Sequence, residues 1–336
     1  MCVFMSEGRN MEELLKEFLR TALKYGATDI HFSVDAEGVL AVEMRIGGRM
    51  YRLPQKAADE RFFRFLLYRA DMDVSAAALP QTGSFEITVD GRRIALRFAL
   101  VSGFHQKSGV LRILSSTGSL SVSDLSMDEA QVNYLKSITG HRSGLYVFSG
   151  PTGSGKTTTM YTILNETTGR KIYTLEDPVE VYSEKYVQLQ VNPQAHLSFA
   201  EGIRQLMRHD PDIIMIGEIR DGEAARMAVR CALTGHLVVT SIHSADCTGA
   251  VHRLLDLGIH EYQLSDVLCG ITNQRLYDRK DRPGRICVYE VMDREEVNYY
   301  FGNRKHSSRF KKLSEAVMEA VENGYIDLPQ AAQDLA

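Results

Sequence analysis

The chain has 336 residues, 44% of them hydrophobic, which is enough to bury the cores of about two domains. Its formal net charge of −4 gives no overall electrostatic attraction to nucleic acid. No apolar run approaches the roughly 18 residues of a membrane-spanning helix, and the N-terminus lacks a secretory pattern.

Residues 1–114 are predicted to form a small α+β domain. Apolar residues recur at helical spacing along 11–26, from Met11 to Leu23, and Gly26 is expected to end this helix. Asp90-Gly91 is the expected turn of a β-hairpin within 85–101. The other predicted elements are strands at 29–34, 40–46 and 110–114, a turn at Gly47-Gly48, and a helix over 59–72.

A polar, Ser-rich linker is predicted at 115–126. Ser126 and Glu129 have the spacing of a capping box that would open the next helix. From there strands and helices alternate, which favours a parallel sheet with ligands at the carboxyl ends of its strands. The predicted strands are 145–149, 171–176, 212–217 and 237–242, within a domain over 127–292 that precedes a helical segment over 293–336.

The first predicted strand is followed by a phosphate-binding pattern, G-x-x-x-x-G-K-T. Its glycines let backbone N–H groups converge on an anion, and the helix that follows adds the positive end of its dipole. Because it lies between a strand and a helix, a chance glycine-rich turn is disfavoured. The predicted nucleotide-binding residues are Gly150, Pro151, Thr152, Gly153, Ser154, Gly155, Lys156, Thr157 and Thr158.

Charged residues follow the later strands, where the sheet would present them to the same ligand. They are Glu176, Asp177 and Glu180 after one strand, Glu218, Arg220 and Asp221 after the next, and His243 after the last. Carboxylates there can hold Mg²⁺ through water and polarise an attacking water molecule. The alternatives are helix capping, which fits Asp221 best, and simple packing for His243.

Four segments resemble, in order and spacing, the Walker A motif, Asp box, Walker B motif and His box of the secretion ATPases. These are "GPTGSGKTTT", "TLEDPVE", "RHDPDIIMIGEIRD" and "LTGHLVVTSIHSADC". The family comprises motors of type II secretion, type IV pili and competence pseudopili. The resemblance covers roughly residues 20–290. It implies a RecA-like P-loop NTPase domain with a parallel sheet, preceded by a small α+β, PAS-like domain.

The resemblance also implies roles for single residues. Lys156 and Thr157 would bind phosphate and Mg²⁺, and Glu218 would activate water and approach Mg²⁺ through water. Glu176, Asp177 and Glu180 would support the metal and nucleotide, while His236 and His243 would sense the γ-phosphate. Arg97 and Arg112 would reach the nucleotide of a neighbouring subunit, with Arg92 and Arg93 fitting that pattern less well. The alternative for these arginines is a solvated hairpin edge.

The function implied is that of a hexameric motor that uses ATP and Mg²⁺ to assemble a competence pseudopilus or a pilus-like filament. Such a homo-hexamer would lie in the cytoplasm against the inner face of the membrane, on a polytopic platform protein. Direct DNA binding is not expected, because the sequence lacks an extended basic groove. Residues 303–312 are its only dense run of basic side chains. A pilus retraction ATPase and a nucleotide-binding scaffold with little turnover remain alternatives. The C-terminal helical motif is acidic, which argues against a pilus retraction ATPase.

Two departures from the larger members stand out. First, the stretch "NQRLYDRKDRPGRICVYE" contains one cysteine where the larger members carry a four-cysteine zinc insert. Second, the larger members carry an additional N-terminal domain, which is not expected in this chain. Short, zinc-free chains of this kind resemble the Gram-positive competence ATPases. The five cysteines are scattered and never form a C-x-x-C pair, which favours reduced thiols.

Elemental analysis of the purified protein should therefore find no stoichiometric zinc, since no four soft ligands cluster in the sequence. One tightly held zinc per chain would mean that distant cysteines converge in space.

Overall fold

The structure is a computed structural model. Its internal contacts divide the chain into two units, residues 1–116 and residues 117–336. The structure describes residues 10–35, 37–46, 49–53, 60–76, 79–103, 106–114, 120–191, 197–281 and 284–335. The predicted turn at Gly47-Gly48 and residues 115–119 of the predicted linker lie outside these ranges. Within them, no helix has both the length and the apolar composition to cross a bilayer.

In its described residues, the first unit is a six-stranded antiparallel sheet with two helices, as the predicted α+β class requires. Its elements are α1 (Met11–Tyr25), β1 (Ala27–Val34), β2 (Leu40–Ile46), β3 (Arg49–Arg52), α2 (Glu60–Arg69), β4 (Gln81–Val89), β5 (Arg92–Ser102) and β6 (Lys107–Ile113). The strand order is β3-β2-β1-β6-β5-β4. The short, fully exposed edge strand β3 was not predicted.

The core of this unit is aromatic. Phe18 of α1 contacts Phe32 of β1 and Phe62 of α2, with ring centroids 6.0 and 5.6 Å apart. Helix α1 begins after Asn10, whose side chain accepts from the Glu12 N–H, and ends at Gly26 in the left-handed conformation, as predicted. Leu23 belongs to the predicted apolar face of this helix but is 44% exposed.

The second unit contains a seven-stranded sheet in the order β13-β12-β7-β11-β10-β8-β9. Its strands are β7 (Gly144–Ser149), β8 (Ile172–Glu176), β9 (Val187–Gln190), β10 (Ile213–Ile216), β11 (Leu237–Ile242), β12 (Leu268–Asp278) and β13 (Arg285–Met292). All neighbours pair in parallel except β12 and β13. The predicted parallel α/β sheet is confirmed, whereas β9, β12 and β13 were not predicted.

Helices cover both faces of this sheet. They are α3 (Glu129–Ser137), α4 (Lys156–Glu166), α5 (Phe199–Leu206), α6 (Gly222–Leu233), α7 (Cys247–Asp256), α8 (Glu261–Val267), α9 (Arg294–Asn303), α10 (Leu313–Glu322) and α11 (Leu328–Leu335). Alternate residues of β7 enter different cores: Leu145 and Val147 join one, Tyr146 and Phe148 the other. Burial on both faces explains why the strands read as continuous apolar runs.

The predicted capping box at Ser126 and Glu129 is wrong. Helix α3 begins at Glu129, and Asp128 is its N-cap, accepting from the Ala130 N–H at 2.8 Å. The Ser126 hydroxyl instead donates to Gln131 Oε1 at 2.7 Å. A nearer carboxylate therefore takes the capping position that the sequence pattern gave to the serine.

The carboxylate of Glu290 in β13 accepts hydrogen bonds from the N-termini of two helices. Its Oε1 accepts from the Cys247 N–H of α7 at 2.7 Å, and its Oε2 accepts from the Leu313 N–H of α10 at 2.8 Å. The side chain is 4% exposed, so both bonds are shielded from water. This one carboxylate thus anchors the C-terminal helices to the sheet.

Replacing Glu290 by alanine should lower the free energy of unfolding by about 2–4 kcal/mol, because two buried N–H groups lose their acceptor. Urea denaturation measures the change, with the exposed Glu322→Ala on α10 as a control expected to shift it by less than about 0.5 kcal/mol. Equal effects from the two substitutions would contradict the anchoring role of Glu290.

Candidate nucleotide-binding site

A cleft of about 580 Å³ lies at the carboxyl ends of β7, β8, β10 and β11. Parallel strands bring their carboxyl ends to one edge of a sheet, so residues far apart in sequence meet there. Most of the predicted site residues line it: Thr152, Gly153, Gly155, Lys156, Thr157, Thr158, Glu176, Asp177, Glu180, Glu218 and His243. Gly150, Pro151 and Ser154 complete the loop between β7 and α4.

The phosphate loop depends on glycine at positions that a side chain could not occupy. Gly150 has φ 139°, and a Cβ there would lie 2.6 Å from the carbonyl oxygen of Gln274. Gly155 precedes α4 with φ 89°. Both are in the left-handed region, which glycine adopts without strain. The loop therefore curls tightly and leaves the N-terminus of α4 facing the cleft.

Lys156 occupies the centre of the loop with its ammonium group held by the backbone. Nζ donates to the carbonyl oxygens of Gly150 at 3.0 Å and Pro151 at 2.9 Å. Burial lowers the pKa of Lys156, and the carboxylates of Glu218 and Glu180 oppose that shift. An amine so placed is a partner for the outer phosphates of a nucleotide.

Glu218 lies between two basic side chains at the end of β10. Its Oε1 is 3.3 Å from His243 Nε2, and its Oε2 accepts from Arg220 Nε at 3.2 Å. Arg220 also reaches Asp177 Oδ2 at 3.0 Å. The Glu218 side chain is 24% exposed. A carboxylate that is oriented by its neighbours yet open to the cleft is suited to holding a water molecule.

Glu176, the last residue of β8, has a different environment. It is 2% exposed, and its Oε1 accepts from the hydroxyls of Tyr161 and Thr174, each at 2.6 Å. Burial raises the pKa of Glu176, while these hydrogen bonds oppose the rise. Because one oxygen is already committed to α4 and β8, the geometry favours Glu218 over Glu176 as the group that activates water.

His236 is not brought to the cleft. It precedes β11, and its carbonyl oxygen accepts from the Gly144 N–H at the start of β7. The six residues of β11, which span about 20 Å at about 3.3 Å per residue, lie between it and His243. Its ring contacts Thr234 and the Cys231 carbonyl. His236 is therefore not among the predicted site residues that line the cleft.

Arg97 and Arg112 are neighbours in the sheet of the first unit. They face each other across β5 and β6, and Arg112 faces Asp29 across β6 and β1. Arg112 Nε donates to Asp29 Oδ1 at 2.7 Å. Burial acts to raise the pKa of Asp29, but hydrogen bonds from Arg112 and Thr28 outweigh it and hold the pKa below its usual value. Arg112 thus compensates a buried carboxylate.

Three residues of the β12–β13 hairpin belong to this site and were missed. Gln274 Nε2 donates to the Ser154 carbonyl oxygen at 2.7 Å, while Leu276 and Arg285 line the cleft. They lie in the stretch "NQRLYDRKDRPGRICVYE", whose comparison with the family indicates a missing zinc insert but no role for these residues. The polar turn segment "DRKDRPG" between two alternating stretches was the available signal of a hairpin.

The donor set fits a magnesium nucleoside triphosphate. The loop supplies backbone N–H groups and Lys156 for the phosphates, and the Thr157 hydroxyl and Glu218 are oxygen groups of the kind Mg²⁺ prefers. The open space above Gly153, where an added Cβ would meet nothing within 4 Å, leaves room for an anion.

The fold and its phosphate loop define a protein of the P-loop NTPase class. A family model described as "Type II/IV secretion system protein" matches residues 6–324, so the chain belongs to that family. This confirms the resemblance that the four motifs predict. Competence protein ComGA of Bacillus subtilis is 35% identical and aligns over 94% of this chain and 96% of its own length.

Other similar proteins differ from this chain in their length or in their sequence identity to it. The putative type II secretion system protein E of Escherichia coli is 38% identical over 79% of this chain but only 55% of its own, so the chain spans about half of such relatives. The pilus retraction motor PilT, solved with bound ADP, has a TM-score of 0.77, 25% identity and 95% coverage of this chain and 96% of its own. Legionella pneumophila DotB, at 21% identity and a TM-score of 0.72, shares the fold.

Glu218→Gln should keep the side-chain shape but remove the charge that we expect to polarise water. Turnover should fall about 100-fold or more while ATP still binds, since a positioned general base contributes about 10²–10⁴-fold. Phosphate release and equilibrium ATP binding measure the two effects. A fall of less than about tenfold would transfer the role to Glu176 or Glu180, and the same substitution there would decide between them.

Proposed function

We propose that this chain is a motor ATPase that couples ATP hydrolysis to assembly of a competence pseudopilus or a related pilus-like filament. One observation carries the proposal: the cleft unites Lys156, Glu218 and His243 in a chain that aligns with nearly all of ComGA. Release of phosphate from ATP by the purified protein is its first test. A nucleotide-binding scaffold would bind ATP without comparable turnover.

In the proposed site, Lys156 and the loop N–H groups hold the β- and γ-phosphates, and Thr157 contributes to Mg²⁺ binding. Glu218 orients and polarises the attacking water. His243, 3.3 Å from Glu218, contacts the γ-phosphate. Glu180 and Asp177 support the metal and nucleotide, with Asp177 held by Arg220 at 3.0 Å. Bound Mg²⁺ would supply charge neutralisation on the phosphate oxygens.

We propose that the active form is a homo-hexameric ring in which one subunit supplies arginine to its neighbour's nucleotide. Such an arginine stabilises charge that develops on the transferred phosphoryl group. Arg97 gives a cleaner test of this than Arg112. Replacing Arg112 would leave the buried Asp29 carboxylate without its guanidinium, so a loss of stability would be mixed with a loss of catalysis.

The proposed ring lies in the cytoplasm against the inner face of the membrane, where it acts on a polytopic platform protein. Retraction is the second candidate, favoured by the likeness to PilT over 95% of the chain. Deleting the gene in the native host separates the two. Loss of filaments supports assembly, whereas longer or more numerous filaments support retraction.

Mixing two inactive variants tests the shared site. Lys156→Ala removes the phosphate partner, and Arg97→Ala removes a group worth about 10³-fold or more in related phosphoryl transfers. Each variant alone should release little phosphate, whereas a mixture should regain part of the activity at interfaces that pair an intact loop with an intact arginine.

Turnover per chain of the unsubstituted protein should also rise with protein concentration until subunits assemble. Turnover that is independent of concentration, from a species that sedimentation shows to be monomeric, would rule out the shared site. Mixing Lys156→Ala with itself at double concentration is the control for simple concentration effects.

A further inference from the structure

Arg275 of β12 contacts the connection between β11 and α7, the segment that begins with His243. Two carbonyl oxygens of this connection accept hydrogen bonds from β12. That of Ser244 accepts from Asn273 Nδ2 at 3.1 Å, and that of Ala245 accepts from Arg275 Nη2 at 3.2 Å. The backbone next to His243 is therefore held by side chains of a different strand.

Arg275 also orients the side-chain amide of Asn273. Its Nη1 donates to Asn273 Oδ1 at 2.8 Å. Because a guanidinium can only donate, the amide must turn its oxygen toward Arg275. Its Nδ2 then faces Ser149 Oγ and the Ser244 carbonyl oxygen. Arg275 thus fixes an amide that reaches both the end of β7 and the connection after β11.

The same guanidinium contacts backbone that borders the phosphate loop. Arg275 Nη1 donates to the Gln274 carbonyl oxygen at 3.2 Å, and a Cβ on Gly150 would lie 2.6 Å from that oxygen. Burial is the main cause that lowers the pKa of Lys156, and the positive charge of Arg275 acts in the same direction. Arg275 therefore affects the loop as well as the segment after β11.

Helix α11 holds the remaining edge of the guanidinium. Arg275 Nε donates to Asp334 Oδ1 at 2.8 Å, and the Tyr277 hydroxyl donates to Asp334 Oδ2 at 2.7 Å. The Arg275 and Asp334 side chains are 18% and 21% exposed, so water screens this ion pair little. From the same helix, Gln330 Oε1 accepts from the Asp278 N–H at 3.0 Å. Docking of α11 on β12 therefore sets the position of Arg275.

We propose that Arg275 is a positioning residue for ATP hydrolysis and that α11 controls it through Asp334, an inference that rests on the proposed ATPase function. Arginine suits this task, because its planar fork carries five donors at fixed angles and can hold several acceptors at once. Loss of Asp334 frees the guanidinium to turn away from the carbonyl oxygens. His243, the proposed γ-phosphate contact, then loses its fixed position, and hydrolysis slows although the side chains of the cleft are unchanged.

Asp334→Asn tests this coupling, because it removes the charge and keeps the shape of the side chain. It should lower kcat about tenfold and leave the Kd of ATP within about twofold, since a misplacement of about 1 Å can cost about 10²-fold in rate. Asp327→Asn, just before the same helix, is the matched control. It breaks the exposed ion pair with Lys280, at 3.1 Å, and should change neither quantity. Sedimentation should show the same assembly for all proteins compared.

Arg275→Lys separates the bridging contacts from the charge. A lysine keeps a positive charge beside Asp334 but lacks the planar fork, so its kcat should be as low as that of Arg275→Ala. Full activity of the lysine variant would show that the charge alone suffices and would overturn the proposal.

Hydrogen exchange gives a readout that does not depend on turnover. The amides of residues 243–247 should exchange faster in Asp334→Asn than in the unsubstituted protein, and Asp327→Asn should leave them unchanged. Unchanged exchange there, or lower stability with unchanged kcat, would reduce Arg275 to a structural contact and overturn the inference alone. Absence of phosphate release from the unsubstituted protein would instead remove the proposed ATPase function itself.

Discussion

The site depends on the register of β7 with its two neighbours. Ser149, the last residue of β7, pairs with Ile242 of β11 and Asn273 of β12. Side-chain hydrogen bonds of Asn273 support this register: its Nδ2 donates to Ser149 Oγ in a buried bond of 2.8 Å and to the Ser244 carbonyl oxygen at 3.1 Å. A slip of one residue would turn every strand-end side chain to the other face and separate the loop from its partners.

Environment, rather than residue type, distinguishes the carboxylates around the cleft. Glu176 is enclosed by hydroxyl donors from α4 and β8, so its oxygen has a structural task. Glu218, two residues beyond the end of β10, is instead partly exposed between His243 and Arg220. Two glutamates near the carboxyl ends of strands therefore have different chemical capacities.

The segment that follows His243 is also the attachment point of the C-terminal helices. Glu290 joins α7 to α10, and His306, between α9 and α10, lies 2.7 Å from the Thr248 hydroxyl of α7 and 2.9 Å from the buried Glu296 carboxylate. These bonds connect the edge of the sheet that carries the cleft with the last helices of the chain.

The sequence by itself determined the parallel sheet, the phosphate loop and the carboxylates after β8 and β10, because strand burial and loop curvature impose local patterns of apolar residues and glycines. Only the tertiary structure decided which residues share the cleft. His236 lies in the same motif as His243, yet a strand's length separates them. The sequence assigns no role to Gln274, Leu276 and Arg285, because they reach the loop through the pairing of β12 with β7, a long-range contact that local sequence does not encode.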